Sequence, residues 1–93
     1  MKAEPLIDER HVLDDDAFVE IVVSRLARAA RGSSHRFKYR LALVRDGVCL
    51  LRYDNEAGKG DHRHIRNVEE PYALTDADTL LADFWRDVER WSR

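Results

Sequence analysis

Most side chains of this protein that could do chemistry fall in one run of twelve positions, Tyr53-Asp54-Asn55-Glu56-Ala57-Gly58-Lys59-Gly60-Asp61-His62-Arg63-His64. His62 and His64 are imidazoles whose ordinary pKa lies near neutrality, so each can take up or release a proton at physiological pH. Metal-independent cleavage of RNA needs such a pair: a base for the 2′-hydroxyl, an acid for the leaving oxygen, and cations for the phosphate. Lys59 and Arg63 can supply cations, and Asp61 or Asp54 can orient an imidazole. Gly58 and Gly60 suit a loop whose backbone approaches a phosphate closely. Gly58-Lys59-Gly60 lacks the spacing of a P-loop, so hydrolysis of a nucleoside triphosphate is not implied.

Other chemistries compete for the same residues. A His-x-His pair on a strand directs both rings to one side, and Glu69 or Asp54 could add oxygen ligands, so a metal site stays open. We assign no metal and no cofactor. The plainest reading is structural, with glycines making a turn and histidines bonded to nearby backbone. A binding module that holds nucleic acid or protein without chemistry is the alternative function. It makes Lys59 and Arg63 matter more than either histidine.

A scaffold must position this run. From Arg36 the chain alternates, with Phe37, Tyr39, Leu41 and Leu43 on one face and Arg36, Lys38 and Arg40 on the other. Asp46-Gly47 predicts a type I′ hairpin turn. The returning strand, Val48 to Tyr53, then pairs Arg45 with Val48, Leu43 with Leu50, and Arg40 with Tyr53. That register sets Tyr53 beside a basic ladder of Arg36, Lys38 and Arg40. With Arg63, Gly58 and Gly60, these form the expected RNA- or phosphate-binding set. Cys49 is expected to be a small buried hydrophobe.

Phe18 to Leu26 is rich in β-branched residues and predicts a strand. Asp61 to Arg66 predicts another, with His62, His64 and Arg66 on one side and Arg63 and Ile65 on the other. Glu69-Glu70-Pro71-Tyr72 reads as a solvated turn with Tyr72 folded inward, and His35 as a surface residue. Thr75 is placed to cap a helix over about 76–91, whose Ala77, Leu80, Leu81, Phe84, Val88 and Trp91 form one apolar stripe. The expected fold is α+β: a small antiparallel sheet of three to four strands, with the central hairpin 36–53, covered by the C-terminal helix. Residues 1–15 read as an acidic arm or short edge segment, and 16–93 as one domain.

Ninety-three residues fit a single modest core. The net charge of −2 divides into −5 over residues 1–20, +7 over 21–66 and −4 over 67–93. A basic middle between acidic flanks suits a polyanion partner. No stretch approaches the length of a membrane span, and the N-terminus lacks a signal peptide's apolar segment. With a lone cysteine and hence no internal disulfide, a cytoplasmic protein is expected.

Four segments carry a family likeness: His35-x-x-Lys38-Tyr39-x-Leu41, the run Tyr53-Asp54-Asn55-x-x-Gly58-Lys59-Gly60-Asp61-His62-Arg63-His64, Glu70-Pro71-Tyr72, and Leu80-Leu81-x-Asp83-Phe84-x-x-x-Val88. In these the chain resembles the TumE family of toxins from prokaryotic toxin–antitoxin modules, over about Phe18 to Trp91. The resemblance implies a toxin encoded beside a neutralising antitoxin, often a DNA-binding one. It brings no catalytic assignment. RNA is the expected second partner, a membrane is not expected, and homo-oligomerisation stays open.

Overall fold

The computed structural model describes residues 3–28, 35–56 and 60–91. Six strands form one antiparallel sheet in the order of the chain: β1 (Ala3–Asp14), β2 (Ala17–Leu26), β3 (Phe37–Arg45), β4 (Val48–Glu56), β5 (Gly60–Ile65) and β6 (Val68–Pro71). The one helix among the described residues, α1 (Ala77–Trp91), follows and packs chiefly against β4. The α+β class is as expected, but the sheet has six strands rather than three to four.

The two extra strands are the edges, and both were hidden by their composition. The acidic N-terminal stretch is the edge strand β1, paired with β2 along its length. Its apolar residues do not alternate because the register shifts twice, between Pro5 and Ile7 and between Val12 and Asp14. The residues inside those shifts, Leu6 and Leu13, are exposed. Each shift moves the following side chains to the other face, so a period of two never builds up. At the other edge, Glu69-Glu70-Pro71 belongs to β6 rather than to a solvated turn. The true turn is Arg66-Asn67, with Arg66 at φ 55°, joining Ile65 to its partner Val68. Proline is tolerated there because β6 is an edge strand.

Asp46 and Gly47 adopt φ 53° and 75°, the positive pair that a type I′ turn requires. Arg45 pairs with Val48 as the turn predicts. Beyond Val44–Cys49 the register shifts, and Leu43 faces Leu51 rather than Leu50. Leu41 therefore meets Tyr53, and Arg40 meets Asp54. Leu50 is the extra residue, and its carbonyl accepts the Arg66 amide at 2.9 Å. This one-residue bulge turns Leu51 and Tyr53 onto the core side, reversing the expectation for Tyr53. Cys49, which precedes the bulge on the uncovered face, is exposed rather than buried.

The core lies between the sheet and α1. Val19, Ile21 and Val23 of β2, Tyr39, Leu41 and Leu43 of β3, and Leu51 and Tyr53 of β4 meet Leu80, Phe84 and Val88 of the helix. The helix begins at Asp76, whose Oδ1 accepts the Thr79 amide at 2.7 Å. Asp76, not Thr75, is thus the cap, because only its side chain stands at the right offset from the free amides. That hydrogen bond lowers the Asp76 pKa. No helix among the described residues is long and apolar enough to cross a membrane.

Candidate functional site

Strand β5 alternates, and its two sides do different things. Its odd residues, Asp61 and Arg63, face the helix side. Its even residues, His62 and His64, face the uncovered side of the sheet. The sides follow the prediction for His62, His64 and Arg63, and the pairing sets Asp54 opposite His62 and Arg52 opposite His64. Arg66 departs from it. It lies in the turn after β5, with its guanidinium 5.9 Å from the Trp91 ring.

On the helix side, polar groups are tied up in pairs. Asp61 Oδ1 accepts the Tyr39 hydroxyl at 2.8 Å and lies 2.8 Å from His35 Nε2. Phe37 donates its amide to His35 Nδ1 at 3.1 Å, so Nδ1 is an acceptor and the Asp61-facing Nε2 carries the proton. His35 is a half-buried latch between β3 and β5 rather than a surface residue, and Asp61 orients it instead of His62 or His64. Asn55, almost fully buried, accepts the Tyr39 amide and donates to the Phe37 carbonyl, extending the β3–β4 ladder with its side chain.

Arg63 belongs to the same side. It donates to Glu70, and its Nη1 lies 3.3 Å from Asp87 Oδ2 of the helix. The Tyr53 hydroxyl donates to that same Asp87 oxygen. Burial pushes the Tyr53 hydroxyl up to about 12; the Arg63 hydrogen bond opposes this shift, while Asp87 adds to it. Tyr72 donates to Asp83 at 2.6 Å and sets its ring edge-on to Tyr53, so it does fold inward. Burial raises the Tyr39 and Tyr72 hydroxyls too, with the carboxylates Asp61 and Asp83 adding to the effect. Tyr53 and Arg63, expected to bind phosphate, instead bind the helix.

On the uncovered face, two cross-strand rows run side by side. One holds Val22, Arg40, Asp54 and His62; the next holds Glu20, Ala42, Arg52, His64 and Glu69. His62 Nδ1 lies 3.1 Å from Glu69 Oε1, and His64 Nε2 lies 3.8 Å from the same oxygen. One carboxylate oxygen thus stands beside both imidazoles. Arg52 lies with Nη2 3.1 Å from His64 Nε2 and with Nε 3.2 Å from Asp54 Oδ2. A guanidinium can only donate, so His64 Nε2 accepts here. His62 Nε2 is shut away from solvent and has no hydrogen-bond partner among the described residues. That is an uncommon condition for a buried polar atom.

Lys38 and Arg40 are exposed on this face, and Lys38 Nζ donates to the Asn55 carbonyl at 2.7 Å. Arg36 is exposed just before β3. Gly60 opens β5 at φ 81°. Gly58 and Lys59 lie outside the described residues. The structure therefore sets His62, His64, Asp54, Lys38 and Arg40 on one sheet face, apart from Asp61, Arg63 and Tyr53. Glu69 and Arg52 complete the cluster. The sequence offers Glu69 as an oxygen ligand or part of a solvated turn, and gives Arg52 no role. Alternation from His62 to a strand over 68–71 would have signalled Glu69, had β6 been recognised.

Fold and site together define a small α+β protein with one sheet face covered by a helix and the other carrying histidines and carboxylates among cations. A family model described as toxin TumE matches residues 2–92, so the chain belongs to the TumE toxin family. It is accordingly a toxin component, and such a toxin in general has an antitoxin as partner. No curated protein and no solved structure matches the chain.

Proposed function

We propose that this toxin acts on RNA as a metal-independent endoribonuclease, with His62 and His64 as its acid–base pair. The observation that carries the reading is the Glu69 oxygen beside both imidazoles, on the sheet face that also bears Arg52, Lys38 and Arg40. His62, held through Nδ1 by Glu69, takes the proton of an RNA 2′-hydroxyl on Nε2. Nε2 is closed to solvent in the free protein, so this step requires that RNA binding expose it. The 2′-oxygen attacks phosphorus, the bond to the 5′-oxygen breaks, and protonated His64 supplies that oxygen's proton. The products are a 2′,3′-cyclic phosphate and a 5′-hydroxyl.

Arg52 suits the phosphate. In the free protein it occupies His64 Nε2. A bound phosphate competes for the guanidinium through stronger, charge-assisted hydrogen bonds and frees that lone pair for a proton. On this reading the antitoxin's task is to keep RNA off the uncovered face. Asp61 and Arg63 act only through the fold.

Purified protein should cut RNA in the presence of chelator and leave cyclic-phosphate ends. His62→Ala should lower the rate by about 10²–10⁴-fold while melting at nearly the same temperature. RNA left intact by a preparation that still arrests growth would sink the proposal. One observation favours the second reading, a binding module without chemistry: His62 Nε2 is closed to solvent while Lys38 and Arg40 are open to it. Salt-sensitive RNA binding with no turnover, dependent on the lysine and arginine rather than the histidines, is its signature.

A further inference from the structure

Beside the histidine cluster, on the same face, lies a depression of about 260 Å³ that the chemistry above does not use. Val22 and Ser24 of β2 line one side, Lys38 and Arg40 of β3 the next, and Asp54 of β4 the far side. Val22 is 37% exposed, an apolar surface turned to solvent beside charged side chains. The Asp54 side chain is only 15% exposed. Its Oδ2 lies near Arg52, and no hydrogen bond from a described residue reaches Oδ1. Such a carboxylate, recessed in a depression and only partly satisfied, is poised to accept more.

We propose that this depression is a nucleobase subsite that selects guanine, with Asp54 as its specificity-determining residue; for its ligand class the inference rests on the RNA reading above. A carboxylate offers two adjacent acceptors and no donor. Among the four RNA bases, only guanine presents two adjacent donors on its pairing edge, the ring N1–H and the exocyclic amino group. Adenine and cytosine each set one amino group beside a ring acceptor, and uracil sets its single N–H between two carbonyls. Those acceptors would face the carboxylate's lone pairs and be repelled. Val22 gives the base an apolar surface, and the cationic ends of Lys38 and Arg40 stand where the attached phosphates leave the depression. Asp54 is the direct cross-strand partner of His62, so a nucleotide seated there has its phosphate beside the acid–base pair.

The probes are guanosine, inosine, adenosine and cytidine 3′-monophosphates, titrated into the whole protein with binding read by NMR. Inosine keeps the N1–H and lacks the amino group. Guanosine 3′-monophosphate should bind at least about tenfold more tightly than the other three, the discrimination expected of one bidentate base contact. In Asp54→Asn that preference should vanish, the four nucleotides then binding alike. Equal affinities, undetectable binding of all four, or an unchanged preference in Asp54→Asn overturns the subsite, and the wild-type comparison stands alone if the variant fails to fold. Cleavage mapping separates the two ideas. RNA cut without bias toward guanine refutes the subsite and keeps the nuclease, whereas guanosine-selective binding with uncut RNA does the reverse.

Discussion

Arg63 and His64 are neighbours on one strand, yet the first is fully engaged and the second is not. Toward the helix, Arg63 meets Glu70 and Asp87, and Tyr53 shares the Asp87 oxygen. Asp87 is 3% exposed, so its charge is uncompensated if the arginine is lost. Toward the uncovered face, His62 and His64 lean on Glu69, whose side chain is 51% exposed, and His62 Nε2 has no partner among the described residues. The polar residue types are similar on both sides. Asp87 of α1 ties one set to the helix, whereas the other set leans on a half-exposed carboxylate.

The sharpest way to break this comparison is to remove one residue from each side and measure unfolding. Arg63→Ala should cost about 3–5 kcal/mol, because it leaves the Asp87 carboxylate buried without its cation. His62→Ala should cost less than about 1 kcal/mol, since its carboxylate partner is half exposed. Equal losses in denaturant titrations would mean that the two faces do not differ in kind. A smaller effect is expected of Tyr53→Phe, which deletes one hydrogen bond to a charged acceptor in the core. It should lower stability by about 1.5–3 kcal/mol, and a loss below the error of the titration would remove Tyr53 from the buried network.

The mildest test leaves the sequence intact. All three tyrosines of the chain, Tyr39, Tyr53 and Tyr72, lie on the helix side, and burial raises each hydroxyl above its ordinary value of 10.0. A raised folded-state pKa stabilises fully below the unfolded value, and that contribution falls as pH rises through the folded one. Stability should thus be flat on this account up to pH 10.0 and decline above it, toward the value of about 12 for Tyr53. Tyrosinate absorbance should stay low until far-UV circular dichroism is lost, and the two should then change together. Tyrosinate appearing near pH 10.0 in folded protein would show that the helix side is open to water.

Much of the fold was legible because its causes are local. Asp46-Gly47 announced its turn, since few residue pairs adopt two positive φ angles readily. The apolar stripe of α1 and the β-branched run of β2 follow from side-chain spacing alone. Within the candidate site, alternation put His62 and His64 on one side and Arg63 on the other, as found. Lys38 and Arg40 were likewise assigned to the right face. Of the edge strands, β1 was legible only as an arm or edge segment, because it breaks its own period at Leu6 and Leu13, and β6 was missed because it has only four residues.

The sequence by itself determined the class of fold, the turn, the helix and the clustering of histidines, cations and carboxylates in one stretch. These depend on backbone sterics and on periods of two and 3.6 residues. Only the tertiary structure decided which of those groups meet. A single bulge at Leu50 moved Tyr53 from the basic ladder into the core, and a helix more than twenty residues on claimed Arg63 through Asp87. Asp61 went to His35, and Glu69 took the place beside His62. The pairing offset between strands is settled by which register buries the most apolar surface and satisfies the most polar groups at once. That is a property of the whole sheet with its helix, and no local window of the chain contains it.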